Sequence, residues 1–234
     1  MKDLGLLAHA VLLPQEGVLT DAHLTAPLAP VEIDFRTRLG RKGLRYSTPA
    51  TLLAEAAAVE AMACRCPDDD CPPERLGLIA SSRYGNAESV VNAAQIVIKQ
   101  GADALSPMGL PNASSNVLAS TVAIQLGIKG VCLTIEDERD RAASALQWAQ
   151  VLITGGRCEQ VLVVAAESDS PTARWLAGGR PVVTGGVALL VAAIDDRHSR
   201  SPMVARRWPL QPARMELGAL AGIINYVVPE GARS

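Results

Sequence analysis

Short runs of Leu, Ile and Val alternate along this chain with Ala-rich stretches of helical length, which restricts it to a sheet covered by helices. Residues 4–13, Leu76–Ser81, 130–135, 160–166 and 182–194 read as strands. Pro49–Ala63, Ala87–Gln100, residues 111–125 and Arg141–Thr154 read as helices. Thr48 and Pro49 make an N-cap and first-turn pair, while Gly101, Gly127 and the Gly155-Gly156 pair stand just past helix ends. The segment before Ser47, residues 66–73 and the Ser/Pro/Arg/Gly stretch before residue 182 read as irregular, and the last strand reads as regular or as bulged around Gly185 and Gly186. The order β-α-β-α-α-β-α-β-β predicts a mixed α/β sheet, and no internal repeat is present. Only 3% of residues are aromatic, so the core falls to Ala, Val, Leu and Ile, which suits parallel strands under small-faced helices. The stretch Arg141–Thr154 carries Ala142, Ala143, Ala145, Leu146, Trp148, Ala149, Val151, Leu152 and Ile153 around most of its circumference. Such a helix predicts cover on all sides, and so a second layer over it.

A chain of 234 residues makes one large domain or two small ones and buries a core without disulfides. A net charge of -2 argues against the basic footprint of a nucleic-acid-binding protein, and the 49% hydrophobic content argues against disorder. Five cysteines (Cys64, Cys66, Cys71, Cys132 and Cys158) form an odd set, which points to a reducing compartment. Residues 4–13 read as a buried strand rather than a signal segment, and residues 217–228 fall short of the ~20 needed to span a bilayer. The expectation is a cytoplasmic protein with no membrane or nucleic-acid partner. Cys64, Cys66 and Cys71 beside Asp68, Asp69 and Asp70 raise a structural zinc as an alternative to free thiols. Without a second paired knuckle the spacing favours free thiols, so neither metal nor cofactor is expected.

Five motifs over residues 105–194 are collinear with a known pattern. Ser106-Pro107-Met108-Gly109-Leu110-Pro111-Asn112, followed by Asn116, resembles a Ser-Pro-x-x-x-Pro-x…Asn segment. Gly127-Ile128-Lys129-Gly130 resembles Gly-x-Arg-Gly, and residues 142–157 resemble a helix closed by Gly-x-x-Asp. Residues 162–167 resemble a strand ending in Gly-Gly-x-Glu, and Gly185-Gly186-Val187-Ala188-Leu189-Leu190-Val191 resembles Gly-Gly-x-Ala-x-x-Val. Together they resemble the amino-terminal half of a β-ketoacyl synthase, the thiolase-fold condensing enzyme of fatty acid and polyketide synthesis. Residues 44–58 also resemble that family's early helix. The resemblance implies an α/β fold, a thiolase-like half-fold with a mixed β-sheet covered by helices. Residues 1–198 would form the domain, and residues 199–234 a tail packing on it or on a partner.

The resemblance also implies what is missing. The family's nucleophilic cysteine ends an Asp-Thr-Ala-Cys turn, and those places fall on Glu136, Asp137, Glu138 and Arg139. A guanidinium at Arg139 cannot form a thioester. The chain is expected to end before the half that holds the family's catalytic histidines and lysine, and His9, His23 and His198 match no motif. A ketosynthase-like chain without its cysteine resembles the chain length factor of type II polyketide synthases, and its size resembles the small partners of aryl-polyene systems. The implied role is non-catalytic: to pair with an active ketosynthase in a heterodimer or heterotetramer and shape the tunnel that sets polyketide or polyene chain length. Met108, Gly109, Leu110, Pro111, Asn112 and Asn116 would line the tunnel or interface. Val131, Leu133 and Ile135, with Glu138 and Arg139, would lie along the partner strand. Glycine at 109, where the family often carries a bulky aromatic, would leave that tunnel deep.

Other features stay open. The run Glu136 to Arg141 reads as a solvated helix start, an ion-pair network at an interface, or a catalytic carboxylate pair. Arg36, Arg38, Arg41, Lys42 and Arg45 read as a solvated face, or as a docking site for an acidic acyl carrier protein. Gly155-Gly156-Arg157 reads as a helix stop, and Glu167-Ser168-Asp169-Ser170 as a loop rather than a hydrolase elbow. The alternatives to the chain-length role are a scaffold that binds acyl carrier proteins and a diverged acyl-thioester enzyme.

Overall fold

Strands β2 (Leu76–Ser81) and β4 (Gln160–Glu167) have no exposed residue, because both of their faces are covered. The structure, a computed structural model, describes residues 4–12, 33–40, 44, 47–135 and 141–193. With β1 (Leu4–Leu12), β3 (Cys132–Ile135) and β5 (Gly185–Ala193) they form one five-stranded sheet in the order β1-β5-β4-β2-β3. β2 runs parallel to β3 and β4, and β5 runs antiparallel to β4 and β1, so the sheet is mixed as expected.

Alternate strand residues feed two cores. Leu78, Ala80, Leu162, Val164, Ala188 and Leu190 point toward helices α1 (Phe35–Leu39), α2 (Pro49–Ala63) and α4 (Val117–Leu126). Ile79, Val161, Val163, Ala165, Leu189 and Val191 pack on the other face against α5 (Arg141–Thr154). Among the described residues the remaining α-helices are α3 (Ala87–Gln100) and α6 (Pro171–Leu176). The domain boundary at residues 198 and 199 lies outside the described residues.

Local chemistry sets the elements. Thr48 Oγ1 accepts the Thr51 N–H at 3.2 Å and Pro49 opens α2, as the sequence predicts. Gly127 ends α4 at φ 67°, and a Cβ on Gly130 would run into the Leu76 carbonyl, so each glycine of Gly-x-x-Gly has its own steric reason. The Arg157 N–H donates to Leu152 O at 2.9 Å around Gly156 (φ +69°), so Gly155-Gly156-Arg157 is a helix stop.

Several expectations are corrected. Two short helices, α1 and α6, occupy stretches read as irregular; five and six residues are too few to show a helical period. Asp34 caps α1 and Ser170 caps α6, the latter accepting the Ala173 N–H at 3.0 Å. The helix expected over 111–125 divides into a 3-10 turn at Leu110–Ala113 and α4, because Ser114 is extended (ψ 136°). The strands expected over 130–135 and 182–194 are shorter, Cys132–Ile135 and Gly185–Ala193. Of the two readings of the last strand the regular one holds, since no register shift falls at Gly185 or Gly186; the irregularity lies between Leu6 and Ala8 of β1. The all-round burial expected of α5 holds on one face only, since Trp148 and Val151 are 50% and 56% exposed.

One buried acid lies in this layer. Glu55 of α2 is 7% exposed, and burial pushes its carboxyl up to about 7. A raised carboxyl is neutral when folded, so the unfolded chain ionises first as pH rises from about 4.5 to 7 and stability falls across that window. The ceiling is about 3 kcal/mol, nearer 1–2 kcal/mol after solvent screening. Glu55→Gln is therefore expected to raise the urea midpoint at pH 8 and leave it unchanged at pH 4. An equal gain at both pH values would contradict this.

Candidate functional site

Helix α3 runs for 14 residues with none of them buried. Val90, Val91, Ala94, Val97 and Ile98 recur at i, i+1, i+4, i+7 and i+8, which places them on one stripe of the helix. All five are exposed, Ile98 at 82%. Only Ala93, Ile96 and the first turn are partly covered. Beyond Gly101 the chain makes two 3-10 turns, Ala102–Ala104 and Leu110–Ala113, both packed on α3. The result is an arm whose apolar stripe faces water. Met108 and Leu110 extend that apolar surface at 59% and 45% exposure.

The residues expected in the tunnel lie on this arm. Gly109 has ordinary helical angles (φ -90°, ψ -23°), and a Cβ there would meet only Ser106 O, at 3.7 Å. Nothing in the chain's own fold demands glycine at that position. Pro111 is exposed, Asn112 is partly buried, and Asn116 accepts from Ser114 Oγ at 2.6 Å. Asn86 Nδ2 donates to Ala113 O at 3.3 Å, tying the end of the loop back to the root of α3.

At that root, the carboxyl ends of β2 and β3 border a cleft. Ser81, Ser82, Gly85, Asn86, Ser115 and Thr134 supply most of its lining. This is where ligands enter open α/β sheets, and it is the signal that could have found these residues from the predicted strands. The loop after β2 is held by Glu167, which is fully buried at the end of β4. Its carboxylate accepts the Arg83 N–H at 2.6 Å, the Tyr84 N–H at 3.1 Å and the Ser82 hydroxyl at 3.2 Å. Ser82 Oγ in turn accepts the Gly85 N–H at 2.8 Å. Thr134 Oγ1 is buried with no hydrogen-bond partner in the structure. The lining offers hydroxyls and one amide, with no acid, base or thiol among the described residues. Glu138 and Arg139 follow β3 but lie outside the described residues, as do His23 and His198. His9 is exposed on β1, at the opposite edge of the sheet.

No family model matches the sequence, and no curated protein matches it. Solved structures do. The ishigamide ketosynthase/chain length factor superimposes with a TM-score of 0.68 at 21% identity, covering 86% of this chain and 64% of that one. A type II polyketide synthase ketosynthase bound to its acyl carrier protein, AntDE:AntF, gives 0.67 at 15% identity, over 85% of this chain and 64% of the other. A ketosynthase in complex with its chain length factor from Xenorhabdus doucetiae gives 0.60 at 17% identity, over 84% and 81%. The fold is that of ketosynthases and chain length factors. The chain spans less than two thirds of the length of the first two.

Within this ketosynthase/chain length factor fold, β3 is an edge strand of four residues. Val131, which precedes it, and Leu133 and Ile135 within it are all partly buried. Burial pushes the Cys71 thiol up to about 11, so it is no ready thiolate, while Cys132 of β3 is exposed. Of the basic stretch, Arg38 pairs with Glu60 of α2, Arg36 is exposed, and Arg41, Lys42 and Arg45 lie outside the described residues. Among the described residues no three His, Cys, Asp or Glu side chains are placed to hold a metal, and no helix is long and apolar enough to cross a membrane.

Proposed function

We propose that this chain is a non-catalytic, chain-length-factor-like subunit that pairs in the cytoplasm with an active ketosynthase and shapes the acyl tunnel that sets polyketide or polyene length. The observation that carries this reading is the arm. An α3 stripe of Val90, Val91, Val97 and Ile98 in water is an unfilled interface, and Met108 and Leu110 continue it. Glycine at 109, which the chain's own backbone does not require, fits a wall that must leave room for another molecule's acyl chain. A cleft of hydroxyls at the ends of β2 and β3, and an arginine where the resembled family has its nucleophile, both agree with a subunit that leaves the thioester chemistry to its partner. The β3 edge is the second partner contact in this reading. The exposed arginines of the basic stretch are where an acyl carrier protein would dock.

Co-expression with an adjacent-gene ketosynthase that keeps its cysteine tests the reading. A stable one-to-one complex is expected. Ile98→Glu is expected to weaken it by about tenfold or more, since a buried unpaired carboxylate costs well over 1.4 kcal/mol. A monomer that turns over an acyl thioester unaided would sink the proposal in favour of a diverged enzyme. Capture of a carrier protein with no ketosynthase present would favour the scaffold.

A further inference from the structure

Thr134 does not suit the wall it stands in. Its register in β3, opposite Ala80 of β2, puts it on the sheet face that α4 covers, in company with Ala80, Val117 and Leu118. Such neighbours call for valine, which has the same branched shape and nothing to solvate. Threonine instead places a hydroxyl there, its oxygen buried and without a hydrogen-bond partner among the described residues. A hydroxyl taken out of water and left unpaired opposes folding.

The cleft beside it has the room and the chemistry to supply a partner. Its enclosed part measures about 10 Å³, the size of one water molecule and too small for an organic ligand. Ser81 is fully buried and its Oγ donates to Ile135 O at 3.2 Å, so its lone pairs are left to accept. Leu118, which also lines the cleft, belongs to the first turn of α4. The N–H groups of that turn receive no cap from the Asn116 side chain, which accepts from Ser114 Oγ. An acceptor, backbone donors and a hydroxyl that can do either meet the two to four hydrogen bonds of a buried water. An anion suits the place less well. Among the described residues no cationic side chain lines the cleft, and the Glu167 carboxylate lies one hydrogen bond behind Ser82.

We propose that the cleft is a binding site for a single structural water, held by Thr134 Oγ1, Ser81 Oγ and a first-turn N–H of α4, which joins the edge strand β3 to that helix. The site belongs to the chain's own fold and stands whether or not a ketosynthase binds the arm.

Two measurements on the full chain test it. A crystal structure at a resolution that shows ordered water, with bromide replacing chloride in the crystals, is expected to hold one peak in the cleft. That peak should lie within ~2.7–3.2 Å of Thr134 Oγ1 and of an α4 first-turn nitrogen, and give no anomalous signal. An empty cleft overturns the proposal, and so does a bromide peak, which makes the occupant an adventitious ion only. Thr134→Val keeps the shape and removes the hydroxyl, so the sign of its effect discriminates. If the water is held, valine breaks the bridge and the urea midpoint is expected to fall by about 0.5 M. If the cleft is dry, valine removes an orphaned hydroxyl, and a midpoint equal to or above the parent's overturns the proposal. Should the valine variant fail to fold, the density in the parent crystal decides alone.

Discussion

Glu167→Ala is expected to cost about 4 kcal/mol of unfolding free energy, a large part of what holds a domain of this size together. The carboxylate is fully buried and accepts two backbone N–H groups and a hydroxyl. Alanine leaves the Arg83 and Tyr84 amides facing a void, at about 1–3 kcal/mol for each stranded donor. Glu167→Gln keeps one acceptor oxygen but turns an NH₂ toward one of the two N–H groups, so about half the loss is expected. The damage should be local before it is global. The loop of Ser82, Arg83 and Tyr84 leads directly into Asn86, the cap residue of α3, so the cleft and the root of the arm loosen together. Urea unfolding gives the energy, and hydrogen exchange at the Arg83 and Tyr84 amides gives the place. An alanine variant within about 1 kcal/mol of the parent would refute the role assigned to this carboxylate.

Gly186→Ala is the second large effect, expected at about 3 kcal/mol, which is about 6–12 °C in Tm for a domain of this length. Gly186 lies in β5 opposite Leu12 and Ala166, beneath α2. A Cβ there would stand 2.5 Å from Leu53 O and 2.9 Å from Leu53 C, both of them α2 backbone atoms. No rotamer change relieves a clash with backbone, so α2 must lift off the sheet, and the alanine face it buries (Ala50, Ala54, Ala57 and Ala58) opens with it. Gly109→Ala is the matched control. Its Cβ meets nothing closer than 3.7 Å, and stability should stay within about 0.5 kcal/mol of the parent. Comparable losses at the two glycines would show that the helix–sheet contact is not what Gly186 protects.

What could be read ahead of the structure follows from how far each signal reaches along the chain. β2 and β4 are buried on both faces, so their apolar runs mark them without any alternation to decode. α2 announces itself through Thr48 and Pro49. α6 carries the same signature, Ser170 before Pro171, but its six residues are followed by Gly178 and Gly179 and offer no period to confirm it. Its place is fixed across the fold instead. Asp169 accepts from Arg174 Nε at 2.8 Å and from the Val182 N–H at 3.2 Å, and the Arg174 guanidinium holds that carboxyl below its usual range. The irregularity in β1 has no marker at all, because a register shift at Leu7 is set by pairing with β5, far along the sequence.

By itself the sequence determined the α/β class, the strands of the central sheet and the principal helices, because these rest on composition, capping and runs of adjacent residues. Only the tertiary structure decided that α3 buries nothing, that Glu167 reaches the loop after β2, and that Gly186 is where α2 touches the sheet. Each of these joins parts of the chain that are far apart in sequence. Burial and hydrogen-bond satisfaction belong to pairs of distant segments, and no single stretch of sequence carries them.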